Sequence, residues 1–276
     1  MNYKKLLSIF QKNSIEIKLY EQRTRNLKIA KSKFGGCPDL PEHFEWYYYK
    51  GEGFNGDIKN RPLSFLAQIN LEEAKPYDKD NLLPNRGMLY FFYELETMTW
   101  GFEEKDYKSA RVYYYDGDLD KLKPRNFPDD LHEDYRLKEL LIEFNSKLDM
   151  PDYEELDELM DEDQSEELDD YYEEYMEKND DIEDQNPLHK LLGYANIIQN
   201  SMLLECEQIT SKLKGNINTE QEDSCESKKW RLLFQMDSDD RMNLMFGDAG
   251  TIYFYIKEDD LKNCNFDNIW CILQCY

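Results

Sequence analysis

Asp237, Asp239 and Asp240 stand in the run Asp237-Ser238-Asp239-Asp240, and Asp248 follows in Gly247-Asp248-Ala249-Gly250. Carboxylates alternating in a loop are how proteins gather oxygen ligands for a hard cation, which makes these four the candidate metal ligands. The spacing departs from the calcium-loop pattern, because the sixth position is Met242 and the twelfth is an aspartate where a glutamate would close the loop. Asp and Gly in these places also build the turns that link two strands, and the turn reading is favoured.

A second set pairs Gln68 with Asn70 and Gln235 with Asp237. Residues two apart on a strand point to one face, so each pair sets two polar groups side by side. Were the two strands related by a pseudo-twofold axis, the four groups could converge on one pocket and hold a small ligand. The competing role, which is favoured, is the satisfaction of nearby backbone groups by buried amides. Phe34-Gly35-Gly36 lacks the Gly-Lys-Ser/Thr of a phosphate loop and is followed by Cys37-Pro38, so it reads as a tight turn. His43, His132 and His189 are isolated from one another, and the last two read as surface residues in polar surroundings. No G-x-S-x-G or H-E-x-x-H motif marks a hydrolase.

The elements that must carry these residues are mostly strands. Ile15, Ile17 and Leu19 alternate with charged neighbours, 63–70 reads as a strand buried on both faces, and 88–93 and 112–115 are runs rich in aromatic and β-branched residues between turn signals. Residues 137–150 fit either a helical stripe or an alternating strand, and the strand is preferred. The second half echoes the first: Trp230–Asp237 parallels Leu63–Asn70, Gly250–Ile256 parallels Gly87–Tyr93, and Ile269–Tyr276 stands where Val112–Tyr115 stands. Leu192-Gly193-Tyr194 answers Phe34-Gly35-Gly36 more weakly. The expected architecture is therefore a β-rich α+β domain over 1–276, with two related antiparallel-sheet halves (about 30–150 and 185–276), an internal duplication about a pseudo-twofold axis. A short N-terminal helix over 3–12 and an acidic helical insertion over 151–184 complete it.

The acidic insertion dominates the electrostatics. The 276 residues carry a formal net charge of −25, yet residues 152–184 alone hold 19 Asp or Glu against one lysine. That segment contributes −18, leaving −7 for the other 243 residues. Pro151 suits a first helical turn, with Asp149 as its expected N-cap. Tyr153, Leu156 and Met160 share one helical face, and Leu168, Tyr171, Tyr172, Tyr175 and Met176 share another. Such a chain is repelled by nucleic acid and by anionic membranes, and an acidic face speeds and orients the approach of a basic protein. A solvated, solubilising face is the other reading of the same charge run.

No run approaches the length of a membrane span or of a secretory signal. Six scattered cysteines without a CxxC pair suit free thiols in the cytoplasm and argue against structural zinc.

The stretches SKFGGCPDLPEHFEW (32–46), RPLSFLAQINL (61–71), GMLYFFY (87–93), HKLLGYANIIQNSM (189–202), WRLLFQMDSDDRMNLMFGDAGTIYFYIKEDDL (230–261) and WCILQCY (270–276) jointly resemble the YwqG-like family of bacterial proteins. The resemblance implies a duplicated, β-rich cytoplasmic fold and brings no established activity or catalytic residues. Binding is favoured over catalysis, and no cofactor is expected. The leading expectation is a protein-binding module that neutralises or regulates a basic partner, as immunity proteins do, with Glu154, Glu155, Asp157 and Glu158 on the partner face. The alternative is a small-ligand or metal-binding protein, which could include catalysis, with its site between the two repeats.

Overall fold

Alternation at Ile15, Ile17 and Leu19 produces strand β1 (Lys12–Tyr20), whose three apolar side chains are buried while Lys18 faces solvent. The computed structural model describes residues 9–20, 28–160, 188–216 and 218–276. The helices expected over 3–12 and around 168–176 therefore fall largely or wholly outside the described residues.

The remaining strands are β2 (Lys33–Phe34), β3 (Asp39–Leu40), β4 (Tyr48–Glu52), β5 (Ile58–Pro62), β6 (Ser64–Asn70), β7 (Met88–Tyr93) and β8 (Ala110–Tyr115). They continue as β9 (Lys123–Pro124), β10 (Leu140–Asp149), β11 (His189–Leu192), β12 (Trp230–Asp237), β13 (Thr251–Lys257) and β14 (Ile269–Gln274). Ten of them form one antiparallel sheet in the order β14-β13-β12-β11-β1-β10-β2-β6-β7-β8, and β3–β9 and β4–β5 form two small separate ladders. The ambiguous stretch 137–150 is a strand because it has a partner along its whole length: Lys12 to Tyr20 face Asp149 to Leu141 in unbroken register. Cross-strand pairing decides what local periodicity left open.

The helices that lie wholly among the described residues are α1 (Leu71–Ala74), α2 (Tyr153–Leu159), α3 (Leu203–Leu213), α4 (Glu220–Ser227) and α5 (Glu258–Lys262). The fold is α+β and β-rich. Helix α2 starts at Tyr153, two residues beyond Pro151, which therefore lies outside its first turn, and its cap residue is Asp152. Asp149 instead ends β10, where its carboxylate accepts from Lys190 Nζ at 2.8 Å and from the Tyr194 amide at 3.1 Å. Leu156 and Met160 are buried beside Phe10, whereas Tyr153 faces solvent.

The sheet is strongly curled. Phe91 of β7 and Phe234 of β12 lie six strands apart in order, which would separate them by about 29 Å in a flat sheet. Their ring centroids are 4.4 Å apart. Single-residue bulges at Leu66 in β6 and at Leu233 in β12 add the local twist this requires. The curl brings the inner faces of both arms into one core containing Phe34, Phe91, Phe234 and Phe254. It also brings the sheet margins together, where Arg111 of β8 reaches Asp267 at 2.8 Å. No helix among the described residues is long and apolar enough to cross a membrane.

Candidate functional site

The polar pairs named from sequence are engaged within the chain. Gln68 is buried: its Oε1 accepts the Asp39 amide at 2.8 Å, and its Nε2 donates to Asp39 Oδ2 and to the Lys31 carbonyl, each at 2.8 Å. Asn70 donates to the Ala30 carbonyl at 2.8 Å and caps α1 by accepting from the Glu72 amide. Gln235 Oε1 accepts the Asn196 amide at 2.9 Å, while its Nε2 donates to the Leu188 carbonyl and to Asn196 Oδ1. Asp237 accepts from Thr251 Oγ1 at 2.7 Å and from the amides of Leu188 and Ser238. Gln68 is tied to residues 31–39 and Gln235 to 188–196, and among the described residues the two pairs share no hydrogen-bond partner.

The candidate metal ligands are likewise dispersed. Asp239 is buried, accepting from His189 Nε2 at 3.2 Å and from Arg241 Nη2 at 2.6 Å. Burial alone would raise its pKa, but the bonds from His189 and Arg241 outweigh it and hold the carboxyl well below the usual range. Asp240 and Asp248 are exposed. Among the described residues no three His, Cys, Asp or Glu side chains are grouped to hold a metal ion. His189 is the reverse of its surface reading. It is buried in β11, accepts the Asp237 amide on Nδ1 at 3.1 Å, and meets the Phe34 ring edge-on.

On helix α2, Glu154 and Asp157 face solvent, although Glu154 accepts the Ser201 amide at 3.2 Å. Glu158 is half-buried and accepts from the Ser201 hydroxyl. Glu155 turns inward and lies away from the face expected of it. Burial pushes its pKa up to about 7, opposed by the charges of Lys12 and Lys190.

An open apolar feature lies elsewhere, between the β4–β5 hairpin and the loop 94–109. A cleft of about 520 Å³ separates them. Around it Phe54 is 84 % exposed, Ile58 70 %, Trp100 46 % and Phe102 36 %. Four large apolar side chains left in water around one concavity exceed the scattered single residues expected of an ordinary surface.

Both walls are rigid. The Tyr49 hydroxyl donates to the Lys105 carbonyl at 2.9 Å and joins hairpin to loop. Buried Arg61 donates to the Gly51 carbonyl at 2.9 Å and pairs with Glu96 at 3.1 Å. Within the loop, Glu94 accepts the amides of Glu96 and Thr97, and Asp106 accepts that of Gly101 at 3.0 Å. The loop is then pinned to the last strand, where Trp270 Nε1 donates to the Gly101 carbonyl at 2.8 Å and Leu273 donates its amide to Trp100 at 3.0 Å. Gly101 permits this approach. Its φ is +82°, and a Cβ there would lie 2.0 Å from the Cys271 carbonyl oxygen.

The charged groups lining the cleft balance in sign: Lys105 pairs with Glu103 at 2.9 Å, Lys50 and Glu52 are of opposite charge, and Asp106 is bonded to the Gly101 amide. Burial, together with the charges of Asp106 and Glu94, pushes the Tyr49 hydroxyl up to about 12, so it stays a protonated donor. Nothing in this constellation resembles a nucleophile beside a base. An apolar concavity with a neutralised rim is suited to receiving apolar side chains. Its exposed aromatics escaped the sequence reading because they lie in a hairpin turn and a loop and make no periodic pattern. The usable signal was local: Phe54 in Gly53-Phe54-Asn55-Gly56, and Trp100 and Phe102 flanking Gly101, are large aromatics in turn chemistry where burial is not expected.

Comparison with known proteins gives one family match: a model described as "Domain of unknown function (DUF1963)" covers residues 32–275. No curated protein matches the chain.

Proposed function

The chain belongs to the DUF1963 family, a domain of unknown function, and from that premise we propose that it is a non-catalytic protein-binding module whose partner docks apolar side chains in the cleft between the β4–β5 hairpin and loop 94–109. The observation that carries this reading is the exposure of Phe54, Ile58, Trp100 and Phe102 on walls joined by hydrogen bonds. Aromatic anchors presented without conformational freedom are what gives an interface its affinity, because little ordering entropy is lost on binding. Covering one Phe or Ile side chain is worth roughly 1.5–3 kcal/mol.

The partner is a basic protein. A net charge of −25 attracts cations over long range and discourages nucleic acid. Glu154 and Asp157 extend the acidic surface on the described part of the insertion. Neutralisation of a cationic protein, in the manner of an immunity protein, fits this division between an apolar anchor and a long-range field. Native purification of the tagged chain, with mass spectrometry of what accompanies it, tests the reading: a basic protein released by salt and lost on Trp100→Ser supports it, and retention of the same protein by the variant contradicts it.

We further read the domain as YwqG-like, spanning 1–276, and duplicated about a pseudo-twofold axis. Support comes from β2-β6-β7-β8 and β11-β12-β13-β14 flanking the central β1–β10 pair, and from the bulges two residues before Gln68 and Gln235. In this reading Gly35 and Gly36, both left-handed, answer Leu192 and Gly193, also left-handed. That is one residue away from the correspondence expected from sequence. Six unpaired cysteines support a cytoplasmic setting.

A further inference from the structure

Strand β4 has a free edge, and it runs along the cleft. The β4–β5 hairpin is a two-stranded ladder of its own, so each strand is paired on one side only. The register fixes which backbone groups that leaves over. The Gly53 amide donates to the Asp57 carbonyl at 2.8 Å, and the Leu63 amide donates to the Tyr47 carbonyl at 2.9 Å. Both bonds continue the register in which Gly51 faces Lys59 and Tyr49 faces Arg61, so alternate residues of β4 (Tyr49, Gly51) bond to β5. The N–H and C=O groups of Lys50 and Glu52 therefore point the other way, and they form no bond among the described residues. Residues 49–54 border the cleft, whereas β5 reaches it only at Ile58. The opposite edge of the hairpin is blunted by Pro62, which has no N–H to offer, while that of β4 is open.

We propose that the partner enters the cleft as an extended segment and adds to this edge as a third, antiparallel strand, with the order basic–apolar–acidic opposite Glu52, Gly51 and Lys50. This mode of binding rests on the cleft being the partner site and specifies the form of what enters it.

In strand addition, main-chain pairing supplies the affinity and alternate side chains supply the choice of partner. Lys50 and Glu52 project from one face of the hairpin, both are exposed, and neither forms an ion pair among the described residues. An added antiparallel strand sets one residue opposite each of them, so an acid answers Lys50 and a base answers Glu52. The residue between those two turns to the other face, where Tyr49 bonds to Lys105 of loop 94–109, and there the cleft takes an apolar side chain. Strand β4 itself reads Lys50-Gly51-Glu52, the same charge order, but its centre is glycine and offers the cleft no side chain. A second copy of the chain is therefore the poorer occupant.

The test uses the full chain and a capped pentapeptide, Val-Lys-Val-Glu-Val, titrated by calorimetry. Saturable one-to-one binding is expected. Methylating the backbone nitrogen of the peptide's Lys or Glu should weaken it at least about tenfold, because those amides donate to β4. Methylating that of the central Val, which points away, should change it less than about twofold. Exchanging Lys and Glu places like charges opposite one another and should cost roughly fivefold. Lys50→Pro removes an outward N–H at an edge position that tolerates proline, so binding should vanish while the chain melts like the parent. The methylation series needs no variant of the chain. Absence of saturable binding, equal effects of the three methyl groups, or a dimeric parent that Lys50→Pro makes monomeric would each overturn the proposal. The cleft reading fails separately. Retention of the co-purifying basic protein by Trp100→Ser contradicts that reading whatever the methylation pattern, and peptide binding that needs Trp100 but ignores methyl position upholds it while overturning the added strand.

Discussion

The carbonyl oxygen of Trp100 accepts the amide of Leu273 at 3.0 Å, so the most prominent exposed indole of the cleft stands on a loop bonded to strand β14. The exposure of Trp100 is therefore a property of the folded backbone and not of a loose segment. An apolar surface maintained against water by that many internal bonds has a cost to folding that a binding role explains.

Gly101 is where that arrangement should be most easily broken. Gly101→Ala places a methyl group against the Cys271 carbonyl at a φ of +82°. A loss of roughly 2–4 kcal/mol in chemical denaturation is expected, from the strained backbone and the lost approach together. Unchanged stability would show that the loop–strand contact is dispensable.

The half-buried Lys12 and the buried Glu155 should give stability a pH dependence of known sign. Burial raises Glu155 from 4.5 to about 7, so the stability it contributes is complete below 4.5 and is lost as pH rises through 7. Burial, with Arg231 adding to it, lowers Lys12 from 10.5 to about 8, so its contribution is present above 10.5 and lost as pH falls through 8. Glu155→Gln removes the first effect. Its stability relative to the parent should rise between pH 4.5 and 7 in denaturation series, and a flat difference would refute the buried placement of Glu155.

Gln68 and Gln235 should matter alike for folding. Replacing either with leucine strands a backbone amide, that of Asp39 or of Asn196, and costs roughly 1–3 kcal/mol for each polar group left unpaired. Comparable losses from the two substitutions, measured by urea denaturation, are expected of duplicated clamps. A large loss from one and none from the other would separate their roles.

Residue patterning made most of the sheet legible. Runs such as Met88–Tyr93 and Thr251–Lys257 are strands because aromatic and other large apolar side chains fill both faces, and that shows in composition alone. Leu140–Asp149 was legible only in part, since its partner β1 lies more than a hundred residues away and local periodicity cannot report it. His189 looked exposed because its neighbours in sequence are polar, whereas its neighbours in space are Phe34 and Asp239. Gln68 and Gln235 were visible as a pair, but whether an amide faces a ligand or a backbone depends on where the 30–39 and 188–196 segments fold. Phe54 and Trp100 were invisible as a site because two loops far apart in sequence form the cleft.

The central claim, that the cleft around Trp100 binds a protein partner, is tested most directly by the affinity of the co-purifying basic protein for the parent chain and for Trp100→Ser. The side chain is 46 % exposed, so the variant should melt like the parent. A loss of at least about tenfold in affinity is expected, as for an aromatic anchor at the centre of an interface. Equal affinity of the two chains, with both folded, would contradict it.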